Sequence, residues 1–244
     1  MATINKEGLT GLVGSVVIYN MNGKQYARTK PAISKTRKKQ LAQSNEAIVF
    51  GLVSAYGSAM LGILRNYLSF SFSLATYNAA RGWIRNQYGP NMEKTDWPLS
   101  SRFNTNCQLN PKADLRDFLK TGVTISDEGK GHIKISMEAI QPQQQILAPA
   151  GTKAVKLKWI VLSTPFSPDG NGIVHSLQEY SIPYTNAVFA ARETEIVIKG
   201  KKGDIVMVVA AMEFERKVST PLENFFKDAG YLPAAIMAIG KLKK

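Results

Sequence analysis

The sequence predicts an α+β fold, with an N-terminal hairpin and two helices followed by a mainly antiparallel β-sandwich-like region. Three observations point there. A glycine-punctuated, β-branched stretch opens the chain, and two runs with apolar residues at helical spacing follow it. The remainder breaks into short β-rich runs separated by turn residues. At 244 residues there is ample length for a core. The patterns divide the chain into a basic, hairpin and helical region at 1–110 and a β-rich domain with a short C-terminal tail at 111–244.

The first element is a hairpin. Leu12 to Tyr19 is rich in β-branched residues, Asn20-Met21-Asn22-Gly23 has turn chemistry, and Lys24 to Lys30 returns as a second strand. Gly8, Gly11 and Gly14 recur at every third residue, which permits bends or close backbone approach. A phosphate-cradling loop is disfavoured there, because no Lys-Ser/Thr pair follows and a strand rather than a helix comes next.

Pro31 ends the second strand, and a helix begins near Ser44, a suitable N-cap. Ile48, Leu52, Val53, Tyr56, Met60, Ile63, Leu64 and Tyr67 hold helical spacing along it. Gly51, Gly57 and Gly62 each cost roughly 1 kcal/mol against alanine, so they are expected to mark tight contact with another backbone. Leu74 to Tyr88 reads as a second helix, with Leu74, Tyr77, Ala80, Ile84 and Tyr88 on one face and Arg81 and Arg85 beside it. Gly89-Pro90 stops that helix, and residues 89–112 form a connection. Asp114 and Asp117 lie at helical spacing among Lys112, Arg116 and Lys120.

Six strands are predicted beyond this point: Thr121 to Ser126, His132 to Ile140, Ala154 to Ser163, Ile173 to Ile182, Glu193 to Lys199 and Asp204 to Arg216. Gly200-Lys201-Lys202-Gly203 is the clearest hairpin turn among them. The segment from Pro233 is short and apolar and reads as a partner-docking tail.

Charge is the strongest functional signal. The formal net charge is +13, and the first 44 residues hold eight Lys or Arg side chains against one acid. A field of that sign attracts nucleic acid, anionic lipid or an acidic protein. The expected polyanion contacts are Arg28, Lys30, Lys35, Arg37, Lys38 and Lys39, extended by Arg81 and Arg85 with nearby aromatic residues. The basic run lacks the interleaved large apolar residues of an interfacial helix. The best candidate for a membrane span, Ala47 to Leu64, is broken by glycines and serines, and no signal-peptide pattern opens the chain, so synthesis in the cytoplasm is expected.

Catalytic chemistry has little support in the residue pattern. The lone Cys107 precludes an intramolecular disulfide and has no neighbouring cation to activate it. With only His132 and His175 besides, no metal-ligand spacing appears and no cofactor is expected. Ser136, His175 and Asp169 can be combined into a triad on paper, without a nucleophile elbow. Glu93 and Asp96 are close in sequence but sit in an irregular stretch, and no carboxylate pair is placed in an apolar pocket.

Residues 4–90 resemble a domain-of-unknown-function family common in Bacteroidota. The residues that carry the resemblance are Gly8, Gly11, Gly14 and Gly23, then Arg28-Thr29-Lys30-Pro31, and Thr36 followed by Gln40 and Gln43 before the long helix. The chain departs from that pattern by carrying Arg37-Lys38-Lys39 inside the phrase. Similar phrases before a helix occur in phage structural proteins, so the resemblance implies a virion-like setting and supplies no catalytic residues.

Two functional classes follow. One is a non-enzymatic structural or assembly protein, self-associating and incorporated in a virion or phage-like particle, whose basic arm faces nucleic acid or an acidic partner. The other is a discrete cytoplasmic nucleic-acid-binding protein without sequence specificity. An enzyme of unrecognised type is the remaining class.

Overall fold

Ten successive residues of one strand, Ile205 to Phe214, are buried. Side chains of a strand alternate between faces, so unbroken burial requires cover on both sides of the sheet. The computed structural model shows both covers. It describes residues 2–5, 8–13, 15–21, 24–29, 45–71, 73–89, 107–165, 172–216 and 225–242. The chain forms two compact units, Met1–Ile48 and Val49–Lys244.

The first unit is a four-stranded antiparallel meander: β1 (Ala2–Asn5), β2 (Gly8–Val13), β3 (Val16–Met21) and β4 (Lys24–Thr29), ordered β1-β2-β3-β4. The single strand expected over Leu12 to Tyr19 is thus two strands, broken at residues 14–15. Gly11, with φ of 115°, occupies a conformation that only glycine adopts without strain.

The second unit is built around a five-stranded antiparallel sheet. Its order is β5 (Cys107–Gln108), β12 (Ala234–Lys241), β11 (Ile205–Arg216), β8 (Thr152–Thr164) and β9 (Ile173–Pro183). Helices α1 (Asn45–Leu64) and α2 (Leu74–Tyr88) cover one face, where Val53, Tyr56, Met60, Leu64, Ile84 and Tyr88 pack on Ile160, Leu162, Met207, Val209 and Ile236. The opposite face carries Leu157, Trp159, Val161, Val208 and Phe214. They pack against a three-stranded sheet, β10 (Arg192–Val197), β7 (His132–Met137) and β6 (Val123–Gly129), through Ile125, Ile133, Ile135 and Ile196. Short helices α3 (Leu115–Phe118) and α4 (Pro142–Gln145) close this second core. Asp114 caps α3 by accepting from the Arg116 backbone N–H. The architecture is mixed α+β with a mainly antiparallel β region, as the sequence predicts.

Three expectations need correction. The apolar tail after Pro233 is strand β12, buried along its whole length between β5 and β11. Its apolar character comes from an inner position in the sheet, not from a missing partner. Gly200 to Gly203 does form a turn, with the Lys201 N–H donating to Asp204 Oδ2 at 2.7 Å, but it is not a hairpin. It joins β10 of the smaller sheet to β11 of the larger one, because local turn chemistry fixes a reversal and not the pairing of the strands it connects. Of the glycines in α1, only Gly57 meets α2 closely. An added Cβ there would lie 3.4 Å from Arg81 Cγ, whereas at Gly51 and Gly62 it would meet nothing within 4 Å.

Candidate polyanion-binding surfaces

In the N-terminal unit the β3–β4 register places Tyr19 opposite Tyr26 and Val17 opposite Arg28. Alternation then sets Lys24, Tyr26 and Arg28 on one face of β4. The two tyrosine rings stack with centroids 5.8 Å apart and planes at 21°, and the Arg28 guanidinium carbon lies 5.7 Å from the Tyr19 centroid. Both rings remain exposed, Tyr19 at 37% and Tyr26 at 39%. Exposed aromatic faces beside cations can stack unpaired bases while neutralising phosphates. Arg28 was legible from sequence; Tyr19 and Tyr26 were not singled out, although period-two alternation on both sides of Asn22-Gly23 carries the signal. Lys30, Lys35, Arg37, Lys38 and Lys39 lie outside the described residues.

In the second unit Arg81 and Arg85 sit one turn apart on α2 and line a cleft of about 280 Å³ with Phe50, Ser54, Asn78 and Gly82. The Arg85 guanidinium lies 5.4 Å over the Phe50 ring. Arg65 and Arg81 flank the Tyr77 ring at 5.1 and 5.7 Å, and the Tyr77 hydroxyl donates to the Ser58 carbonyl at 3.3 Å. The structure therefore brings the two predicted arginines together and adds Arg65, Tyr77 and Phe50. Trp83, close to both arginines in sequence, packs against the helix-side core.

The histidines and the cysteine have structural surroundings. His175 pairs with Ser163, Nε2 to Oγ at 2.6 Å, and not with Ser136, whose hydroxyl donates to Glu193 at 3.3 Å. Its Nδ1 accepts from the Lys199 backbone N–H at 3.4 Å. The neutral ring consequently carries its proton on Nε2 and donates to Ser163, the wrong polarity for a base that activates a serine. Burial lowers the His175 pKa, opposed by the Asp204 charge. Asp169, Glu93 and Asp96 lie outside the described residues. Burial pushes the Cys107 thiol up to about 12, which leaves it protonated and unreactive at neutral pH. Among the described residues, no three His, Cys, Asp or Glu side chains gather as a metal site, and no helix is long and apolar enough to cross a membrane.

One charged cluster escaped sequence reasoning. On the helix-side face of the larger sheet, past the end of the helix layer, Lys158 pairs with Glu213, which also accepts from the Ser69 hydroxyl. Glu179 approaches Lys156 and Lys158 at 3.6 and 3.7 Å. This explains why Lys156-Leu157-Lys158 alternates while Trp159 to Leu162 is continuously apolar: the helices cover β8 only from Ile160 onward.

Compared with known proteins, the sequence matches no family model and no curated protein.

Proposed function

We propose that the protein is a non-enzymatic assembly component of a virion or phage-like particle, whose basic N-terminal residues contact nucleic acid. The observation that carries this reading is the state of the N-terminal sheet. None of its described side chains between Val13 and Thr29 is buried, although Val16, Val17 and Ile18 are apolar. Apolar sheet surface only half-buried favours association, and a second copy of the chain supplies the same surface in complementary form. Eight basic residues in the first 44 supply the attraction for a polyanion.

Binding to a labelled single-stranded oligonucleotide across a salt series tests the polyanion contact. With Arg28, Lys30, Lys35, Arg37, Lys38 and Lys39 engaged, log affinity falls against log salt with a slope of about −4. Replacing Arg37, Lys38 and Lys39 by alanine flattens that slope by about two. An unchanged slope would remove these residues from the contact.

A second reading, a discrete nucleic-acid binder without sequence specificity, is favoured by the Tyr19–Tyr26–Arg28 arrangement. Under it, Tyr19→Ala with Tyr26→Ala weakens single-strand binding by about 1–3 kcal/mol per stacked base and leaves duplex binding unchanged. Equal losses for both substrates would refute stacking.

A further inference from the structure

We infer that the cleft between α1 and α2 binds a phosphate monoester group, held by Arg81 and Arg85. The cleft does this whether or not the N-terminal residues touch nucleic acid, because its described lining lies in the second unit.

The first reason is an unmet donor. Arg81 Nε is buried and finds no acceptor among the described residues. Buried polar groups in folded proteins are nearly always paired, so an arginine that lines a cleft while one of its N–H groups lacks an acceptor is short of a counter-anion. The second reason is that no acid competes for it. The described lining holds Phe50, Ser54, Asn78, Gly82 and the two arginines, and α2 contains no Asp or Glu at all. Two positive charges four residues apart on one helix repel each other unless an anion lies between them.

The third reason is preorganisation. Tyr77 is fixed across the helix pair by its hydrogen bond to Ser58, and the Arg81 guanidinium lies against its ring. Arg85 rests on Phe50, so both guanidinium groups are steered by aromatic rings and not by carboxylates. At Gly82 an added Cβ would meet nothing within 4 Å, which leaves that wall of the cleft open to a ligand. Ser54 and Asn78 bring neutral donors to the same space.

Size selects the ligand. The volume of about 280 Å³ lies just under the range of about 300–1,000 Å³ typical for whole small-molecule ligands. A phosphate head is enclosed and the rest of its molecule stays outside. That head can end a nucleic-acid strand or belong to a phosphorylated metabolite, and the two sources share the same chemistry here.

The test is calorimetric titration of the full chain carrying Tyr19→Ala, Tyr26→Ala, Arg28→Ala, Lys30→Ala, Lys35→Ala, Arg37→Ala, Lys38→Ala and Lys39→Ala, so that binding at the N-terminal residues is not mistaken for binding in the cleft. Three probes are compared: inorganic phosphate, a 5′-phosphorylated thymidine hexanucleotide, and the same hexanucleotide without its phosphate. Inorganic phosphate and the phosphorylated strand are expected to bind, and the unphosphorylated strand at least about tenfold more weakly. A phosphorylated strand tighter than inorganic phosphate identifies a nucleic-acid end as the source; equal affinities show that the strand adds nothing beyond its phosphate. Arg81→Gln weakens phosphate by about tenfold or more. Gly82→Asp, which adds a carboxylate at a position where an added Cβ meets nothing within 4 Å, abolishes binding. Silence toward both phosphate probes would overturn the assignment. So would equal binding of the two hexanucleotides, or phosphate binding that survives both variants.

Discussion

Replacing Gly51 and Gly62 by alanine stabilises the protein, and the size of the gain follows from how α1 lies on α2. Glycine inside a helix costs about 1 kcal/mol relative to alanine, through the backbone entropy it loses on folding. That cost is recovered only where the new methyl group meets no obstacle. At Gly51 and Gly62 it meets nothing within 4 Å. At Gly57 it would sit 3.4 Å from Arg81 Cγ and 3.6 Å from Ile84 Cδ1, on the side where the two helices touch. The exposed positions therefore gain about 1 kcal/mol each. For a unit the size of Val49–Lys244 this raises Tm by about 2–4 °C per substitution. Eleven residues of helix separate the two sites by about 16 Å, so the double variant gains about 2 kcal/mol by simple addition. Gly57→Ala gains at least as much, because its methyl is buried at ordinary van der Waals distance from those carbons. Urea unfolding followed by circular dichroism gives all the values on one scale. A loss of stability at Gly51 or Gly62, or a smaller gain at Gly57, would refute the helix pairing that shapes the arginine cleft.

Three further outcomes are expected. Glu213→Gln leaves Lys158 partly buried without its closest counter-charge and costs about 3 kcal/mol in urea unfolding, whereas Lys158→Met with Glu213→Leu recovers most of that loss; a single variant as stable as the parent would show that the pair carries no weight. Cys107 resists a thiol-specific chromogenic reagent at pH 8 in the native protein and reacts on unfolding. Its thiol pKa rises from 9.0 to about 12 in the folded state, so its stabilising contribution is complete below pH 9 and is lost as pH climbs toward 12. His175 has the opposite dependence: burial lowers its folded pKa below 6.5, so its contribution is complete above 6.5 and is lost as pH falls through that value toward the folded pKa. His175→Gln flattens the decline of Tm between pH 7.5 and 5.5, and an undiminished decline would place the proton uptake elsewhere.

Regular elements with strong periodicity were legible in the sequence. The limits of α2 fall at Leu74 and Tyr88 as the spacing and Gly89-Pro90 indicate, and six of the β-rich runs became strands with ends shifted by a few residues. Pairing was not legible. Gly200 to Gly203 carries every local mark of a hairpin, yet the strands on either side belong to different sheets, since pairing is decided by which apolar faces are buried together. The segment after Pro233 looked like a docking tail because an inner strand buried on both faces has no alternation to reveal it. Arg28, Arg81 and Arg85 were found through charge. Tyr26 shares a strand with Arg28, whereas Tyr19 and Phe50 come from the adjacent strand and the facing helix, and sequence distance hides their proximity.

Sedimentation velocity at low and high salt, with and without a single-stranded oligonucleotide, tests the assembly claim most directly. A large homogeneous species without nucleic acid, growing further when the oligonucleotide is added at low salt, is the predicted result. A monomer at every protein concentration, indifferent to salt and to the oligonucleotide, would contradict it.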